Sequence, residues 1–144
     1  MEFPATYGEV MAPLDVTRLP DDLRSLYESD AVFREWTHLS DRVRRAEKIS
    51  CWTQWTPQQS AAYKANDIRL FSQLRGYTDA EIAEFDRFMA LGRELDARNG
   101  EAFRLDVEHL LGQLVETERL RAINHALFRM SEAALAHPIK VHKR

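Results

Sequence analysis

The sequence predicts an all-α protein: an antiparallel helical bundle of about five helices, with a long C-terminal helix and an extended N-terminal arm. Three observations support this prediction. Apolar residues recur at helical spacing through most of the chain. Strand-like alternation is rare, and the chain contains only 5 glycines. Capping residues mark short connections, which make successive helices antiparallel neighbours.

Composition and charge describe one domain of ordinary polarity. The 144 residues are 44% hydrophobic and 30% charged, with a net charge of −3. A chain of this length buries about 68% of its unfolded surface, which is enough for a core without crosslinks. The small net charge excludes a global field that would recruit nucleic acid or an anionic membrane.

The single cysteine, Cys51, excludes an internal disulfide and is compatible with a reducing compartment. No apolar run approaches the 18 residues of a spanning helix. The first residues lack the basic and apolar regions of a signal peptide. We therefore expect a cytoplasmic protein that has no membrane partner.

Residues 1–20 are predicted to form the extended arm, because Pro4, Pro13 and Pro20 oppose a helix interior. The arm is either held by its few apolar side chains, held by a partner, or frayed. The helical domain is expected to span residues 21–137, since Asp21 and Asp22 follow Pro20 as favourable helix-start residues. Residues 138–144 form a short basic tail.

A second helix is predicted to begin at Ser29 and Asp30. Its apolar stripe comprises Val32, Trp36, Leu39, Val43 and Ala46. The opposite side carries Arg34, Arg42 and Arg45, which permit two interpretations. They form a nucleic-acid face, or they form a solvated surface in which glutamate and aspartate interleave with the arginines.

Trp52 and Trp55 lie in the connector that follows this helix. Tryptophan supplies a large apolar surface, so the two rings are expected to close the end of the bundle. Tryptophan is also enriched at interface hot spots, so the alternative is that both rings anchor a partner.

Thr56 to Gln59 has the pattern of a capping box with proline at the first helical position. This helix is predicted to continue to Arg75, with Gly76 as its terminator. On such a helix Asp67 projects into the inward sector. A half-buried carboxylate needs a partner, so Asp67 is the candidate polar site.

A second capping box, Thr78 to Glu81, begins the next helix, which is predicted to end at Asn99 and Gly100. Its inward stripe is formed by Ile82, Phe85, Met89 and Leu95.

The last apolar run, residues 100–137, changes its apolar face partway. The first stripe is Phe103, Val107, Leu110, Leu111 and Leu114, and the second is Leu120, Ile123, Leu127, Met130 and Ala134. On an unbroken helix the two stripes lie roughly 200° apart. That helix would be about 54 Å long, against about 37 Å for the whole globule. Either the helix breaks near residues 112–119, or the second stripe faces a partner.

No phosphate-binding loop, dinucleotide fingerprint or His-Glu-x-x-His motif occurs in the sequence. A dinuclear carboxylate site needs Glu-x-x-His on two helices. Glu35 and His38 form one such pair, and Asp106 to His109 is a weaker variant. Both histidines fall on polar faces, so we predict no metal and no cofactor.

These observations favour a small, non-enzymatic protein–protein interaction module: an adaptor, an inhibitor or an accessory subunit. The partner is a second copy of the chain, as a homodimer, or another protein. The first alternative is a DNA-binding transcriptional regulator that uses the basic helix face. The second is a carboxylate-bridged metal enzyme. The predicted partner-binding residues are Trp52, Trp55, Leu120, Ile123, Leu127 and Met130.

Overall fold

The computed structural model describes residues 3–49 and 55–136, and these residues form an all-α bundle, as predicted. They contain seven α-helices, preceded by 3₁₀ helices at Tyr7–Glu9 and Val16–Arg18. The α-helices are α1 (Asp21–Ser29), α2 (Ala31–Ala46), α3 (Pro57–Lys64), α4 (Ile68–Leu74), α5 (Asp79–Asn99), α6 (Glu101–Leu114) and α7 (Glu118–Ala136). The number exceeds the predicted five chiefly because two of the predicted helices are each divided into two. No helix within the described ranges is long and apolar enough to cross a membrane.

The first division separates α3 from α4. The predicted capping boxes at Thr56 and Thr78 are both present. Between them, however, Asn66 adopts a left-handed conformation with φ of 58°, which ends the helix that begins at Pro57. Asp67 then caps α4, so α3 and α4 form a short helical hairpin.

The second division separates α6 from α7 and decides between the two arrangements of the C-terminal run. The Thr117 hydroxyl accepts a hydrogen bond from the Leu120 backbone N–H and donates one to the Val10 carbonyl. The break lets the first stripe and the start of the second, Leu120 and Ile123, face the interior of the same chain. Residues 137–144, which include the basic tail, lie outside the described residues.

The main core lies between α2, α5 and α6. Phe33 and Trp36 are completely buried, and the Trp36 ring stacks on Phe88 with centroids 6.0 Å apart. Gly100, with φ of 93°, makes the sharp turn that returns α6 against α5. The buried members of this core are Leu19, Phe33, Trp36, Leu39, Leu91, Leu95, Val107, Leu111 and Leu114.

A smaller core joins the N-terminal arm to α7. Its buried residues are Val10, Met11, Ile49, Val115, Leu120 and Ile123. The Ala12 backbone N–H donates to the Val115 carbonyl at 2.9 Å, and Arg45 donates to the Ala12 carbonyl. The described part of the arm is therefore held by the chain itself, which is one of the alternatives that the sequence left open.

Asp30 caps α2 and also carries charge. Its Oδ1 accepts hydrogen bonds from the backbone N–H groups of Val32 and Phe33, and its Oδ2 pairs with Arg98 of α5. Burial opposes ionisation, but the hydrogen bonds from Phe33 and Arg98 outweigh it and lower the pKa of Asp30 below its ordinary value. The ionised carboxylate thus stabilises the folded state.

Replacement of Trp36 by alanine is expected to lower the free energy of unfolding by about 3–5 kcal/mol, because it leaves a large cavity in the main core. Urea denaturation measures the loss. Phe128→Ala is the control, since Phe128 is 61% exposed and should change stability by less than about 0.5 kcal/mol. Equal losses in the two variants would contradict this assignment of the core.

Asp30→Asn is expected to destabilise the protein at pH 7 by about 1 kcal/mol or less, because asparagine keeps the cap but loses the charge. A carboxyl whose folded-state pKa is lowered stabilises the fold above its unfolded pKa of about 4, and this contribution disappears as pH falls through the folded-state value. Denaturation at pH 7 and near pH 2 should show the difference between wild type and variant vanishing in acid. A difference that persists in acid would show that the charge is not its cause.

Candidate protein-binding groove

Large apolar side chains remain exposed around the α3–α4 hairpin and the first half of α5. Each is between 39% and 53% exposed. They are Trp55, Tyr63, Ile68, Leu70, Leu74, Phe85 and Met89. The predicted inward stripe of α5 is thus wrong for Phe85 and Met89, although Ile82 and Leu95 are buried as expected. The first half of α5 extends beyond the cover that α6 provides.

Three of these side chains line an open groove of about 280 Å³ between α2, α3, α4 and α5. The buried rings and chains of Phe71 and Ile82 also contribute to its wall. Its apolar lining consists of Val43, Ala46, Tyr63, Ile68, Phe71, Ile82 and Phe85. A groove of this kind accommodates a few apolar side chains of a partner rather than a large cofactor.

An aromatic cluster holds the hairpin in place. The rings of Trp55, Tyr63 and Phe71 contact one another, with centroids 5.0–5.3 Å apart. Phe71 is 5% exposed and occupies the inner position, whereas the other two rings reach the surface. Trp55 therefore packs within the chain and is also exposed. These two properties match the two interpretations of Trp55, as a packing residue and as a predicted partner anchor. Trp52 lies outside the described residues.

Two cations flank the Tyr77 ring at one end of the groove. The guanidinium carbon of Arg75 lies 5.4 Å from the Tyr77 centroid and 4.8 Å from the Phe71 centroid. The Lys48 ammonium lies 5.3 Å from the Tyr77 centroid. The Nε atom of Arg75 is buried and has no hydrogen-bond partner among the described residues. An unsatisfied buried donor costs about 1–3 kcal/mol.

The remaining charged groups of the lining have partners within the chain. Arg42 donates to Glu84 at 2.7 Å. Glu81 accepts from the Thr78 backbone N–H in the capping box of α5, and Glu47 attracts the charge of Arg44. Within residues 3–49 and 55–136, Arg75 is the groove-lining ionic group that has neither an ion pair nor a side-chain hydrogen bond.

The prediction that the second C-terminal stripe faces a partner is wrong for Leu120 and Ile123. They are 8% and 3% exposed, because the N-terminal arm covers them in the smaller core. Leu127 is half-buried against that core. Met130 remains exposed, as does its neighbour Phe128. Among the side chains of the predicted stripe that the structure describes, Met130 is therefore the one that is exposed.

The prediction of a half-buried carboxylate at Asp67 is also wrong. Asp67 is exposed, and its Oδ1 accepts a hydrogen bond from the Leu70 backbone N–H at 3.1 Å. The reason is the helix break at Asn66, which turns Asp67 from an interior helix position into an N-cap. Its carboxylate is satisfied by the first turn of α4 and needs no arginine.

The predicted basic face of α2 is not a continuous free surface. Arg34 donates to the Tyr27 and Glu28 carbonyls at the end of α1. Arg42 pairs with Glu84, and Arg45 pairs with Asp41 while it donates to the arm. Arg42 and Arg45 are thus paired with carboxylates, and the guanidinium of Arg34 is held against the end of α1. The three arginines therefore do not form the set of free cations that a phosphate backbone requires.

The residues of the Glu-x-x-His motif on α2 are also engaged. Glu35 forms a two-bond ion pair with Arg87, and this contact lowers the pKa of Glu35. His38 is hydrogen-bonded to the Tyr27 hydroxyl. Across the described ranges, no three His, Cys, Asp or Glu side chains are arranged to hold a metal ion.

A second, more polar cleft of about 460 Å³ lies beside α6 and the start of α7. Burial lowers the pKa of Arg44 in this cleft, while the charges of Glu108, Asp41 and Glu47 oppose that effect. Arg44 also donates to the Glu108 carbonyl at 3.4 Å. Three carboxylates of the chain therefore act on the charge of Arg44, although they do not fully offset its burial.

No protein family, no curated protein and no solved structure matches this chain.

Phe71→Ala is expected to loosen the hairpin without unfolding the bundle, because Phe71 joins α3, α4 and Trp55. Hydrogen exchange should accelerate by about tenfold or more for the amides of α3 and α4, while those of the second half of α5 and of α6 keep their protection. Leu105→Ala, an exposed position on α6, is the control and should change neither set. Equal acceleration throughout the molecule would show that the hairpin is not a separate unit.

Proposed function

We propose that this protein is a small, non-enzymatic interaction module that binds another protein through the groove between α2, α3, α4 and α5. The observation that carries the proposal is the concentration of large exposed apolar side chains around one groove. Monomeric proteins rarely leave such a patch contiguous unless it binds something. Adaptor, inhibitor and accessory subunit are all roles for such a module.

The energetics favour a partner that covers several of these residues at once. Full burial of one large apolar side chain contributes about 1.5–3 kcal/mol. Since these side chains are already about half-buried, each adds roughly 1 kcal/mol when it is covered. Association itself costs at least about 4 kcal/mol. A segment that spans Ile68 and Phe85 and extends to Met89 is therefore a better occupant than a small ligand, and helix-in-groove binding satisfies this requirement.

The groove supports this function better than the DNA-binding alternative. The arginines expected to contact DNA are engaged in contacts within the chain, and three glutamates line the groove. A second copy of the chain is the alternative partner, because Phe128 and Met130 are exposed apolar side chains on α7. Self-association is therefore measured on the same protein variants as partner binding.

The test uses a displayed library of random 16-residue peptides that is selected on the wild-type protein. Peptides from the enriched pool should lose at least about tenfold in affinity for Phe85→Asp, since the charge would lie in the groove without a partner. Leu105→Asp is the matched control, because Leu105 is 49% exposed and lies outside the groove. Isothermal titration calorimetry measures both affinities.

Sedimentation equilibrium on the same proteins reports the oligomeric state. If the protein forms a dimer that dissociates in the Phe128→Asp variant but not in the Phe85→Asp variant, self-association is assigned to α7. The proposal is abandoned if no peptide pool is enriched, or if Phe85→Asp and Leu105→Asp bind the pool equally well.

A further inference from the structure

We infer that the partner segment is acidic as well as apolar: an amphipathic peptide of another protein that places a carboxylate at the Tyr77 end of the groove. This inference rests on the proposed function and specifies the chemistry of the partner. It depends on the two cations at that end, Arg75 and Lys48, which the apolar groove by itself does not explain.

Both cations lie over the same aromatic ring, and each is within 5.4 Å of the Tyr77 centroid. Neither forms an ion pair in the part of the chain that the structure describes. The other arginine of the groove lining, Arg42, is paired with Glu84, so Arg75 differs from it in having no carboxylate partner. Two like charges beside one ring repel each other, and an anion bound to Arg75 relieves that repulsion.

A carboxylate is the anion that best fits this end of the groove. The guanidinium of Arg75 lies over Phe71 as well as Tyr77, so two aromatic faces restrict its position. A ring face favours the cation but accepts none of the directed hydrogen bonds that a guanidinium donates. Carboxylates accept such bonds in pairs from arginine, and the contact is strengthened by charge. An aspartate or glutamate of the partner supplies this acceptor.

The lining disfavours a polyanion such as nucleic acid. Glu47, Glu81 and Glu84 all lie in the wall of the groove. A chain of phosphates that follows the groove would meet these three negative charges, whereas a peptide needs to place only one carboxylate beside Arg75. Apolar side chains of the peptide then cover Ile68 and Phe85, which a phosphate backbone would leave exposed.

The experiment begins with individual peptides from the enriched pool. The peptides chosen are those that bind the wild-type protein and lose binding to the Phe85→Asp variant. These sequences should share one aspartate or glutamate beside aromatic or aliphatic residues. Replacement of that acid by its amide should weaken binding to the wild-type protein by about tenfold, which is about 1.4 kcal/mol. This measurement requires no change in the protein. Binding should also weaken as NaCl rises from about 50 to 500 mM.

Variants of the protein then assign the contact. Arg75→Glu should lose affinity for the acidic peptide and regain it when the peptide acid is replaced by lysine. Arg69→Glu is the matched control, because Arg69 lies on α4, the helix that Arg75 follows, is exposed and pairs with Asp79 outside the groove. Lys48→Glu provides a second test should Arg75→Glu fail to fold, as judged by circular dichroism.

The possible results separate this inference from the proposed function. Peptides that depend on Phe85 but show no acidic preference, and that bind equally well after the acid is amidated, would overturn the inference and leave the interaction module standing. Failure to obtain any peptide that depends on Phe85 would overturn both. A single-stranded 20-nucleotide DNA or RNA probe that competes with the peptides and binds more tightly than they do would overturn the inference in favour of a polyanion.

Discussion

The packing of α2 against α5 is the interaction on which the rest of this structure depends. Trp36 lies at its centre, fully buried and stacked on Phe88. Ion pairs join Asp30 to Arg98, Glu35 to Arg87 and Arg42 to Glu84, in the opposing order that antiparallel helices require. The same two helices continue past this core and form two walls of the groove. The main core therefore fixes the geometry of the proposed binding surface, although no core residue needs to contact the partner.

The N-terminal arm covers apolar surface of the C-terminal helices that the main core does not bury. The apolar face changes between α6 and α7, so the chain needs a second surface to cover Leu120 and Ile123. Val10 and Met11 provide it, and the Ala12–Val115 backbone hydrogen bond fixes the arm beside the break. Because the arm covers Leu120 and Ile123, the first half of α7 needs no partner to bury its apolar face. The surface in excess is instead on α4 and α5, where only the short α3–α4 hairpin is available as cover.

Rules that use only neighbouring residues predict the helix caps well. The candidate groove, in contrast, depends on contacts between helices that are distant in the sequence. The caps at Asp30, Thr56 and Thr78 follow from side-chain chemistry within a few residues and were predicted correctly. Helical periodicity also assigned Trp36 and Val107 to the core. It reports which residues share a face, but not which helix covers that face. Phe85 and Ile82 share a stripe, but Phe85 is exposed because the first half of α5 extends beyond α6 and the short hairpin does not cover it. The apolar pattern contains no signal for the left-handed conformation of Asn66. The pattern therefore places Asp67 inside a helix, whereas the structure has it as the N-cap of α4.

The α3–α4 hairpin is also the part of the fold whose helices depend most on contacts with other residues for their stability. Helices α3 and α4 span eight and seven residues, shorter than the roughly 12–15 residues at which an isolated helix becomes even marginally stable. Their order therefore comes from the two caps, the Trp55–Tyr63–Phe71 cluster and contact with α5. Because Phe71 and Tyr63 also line the groove, a partner that packs on them adds contacts to the elements that need them most. The proposed binding would thus be coupled to local order in the hairpin through the same aromatic side chains.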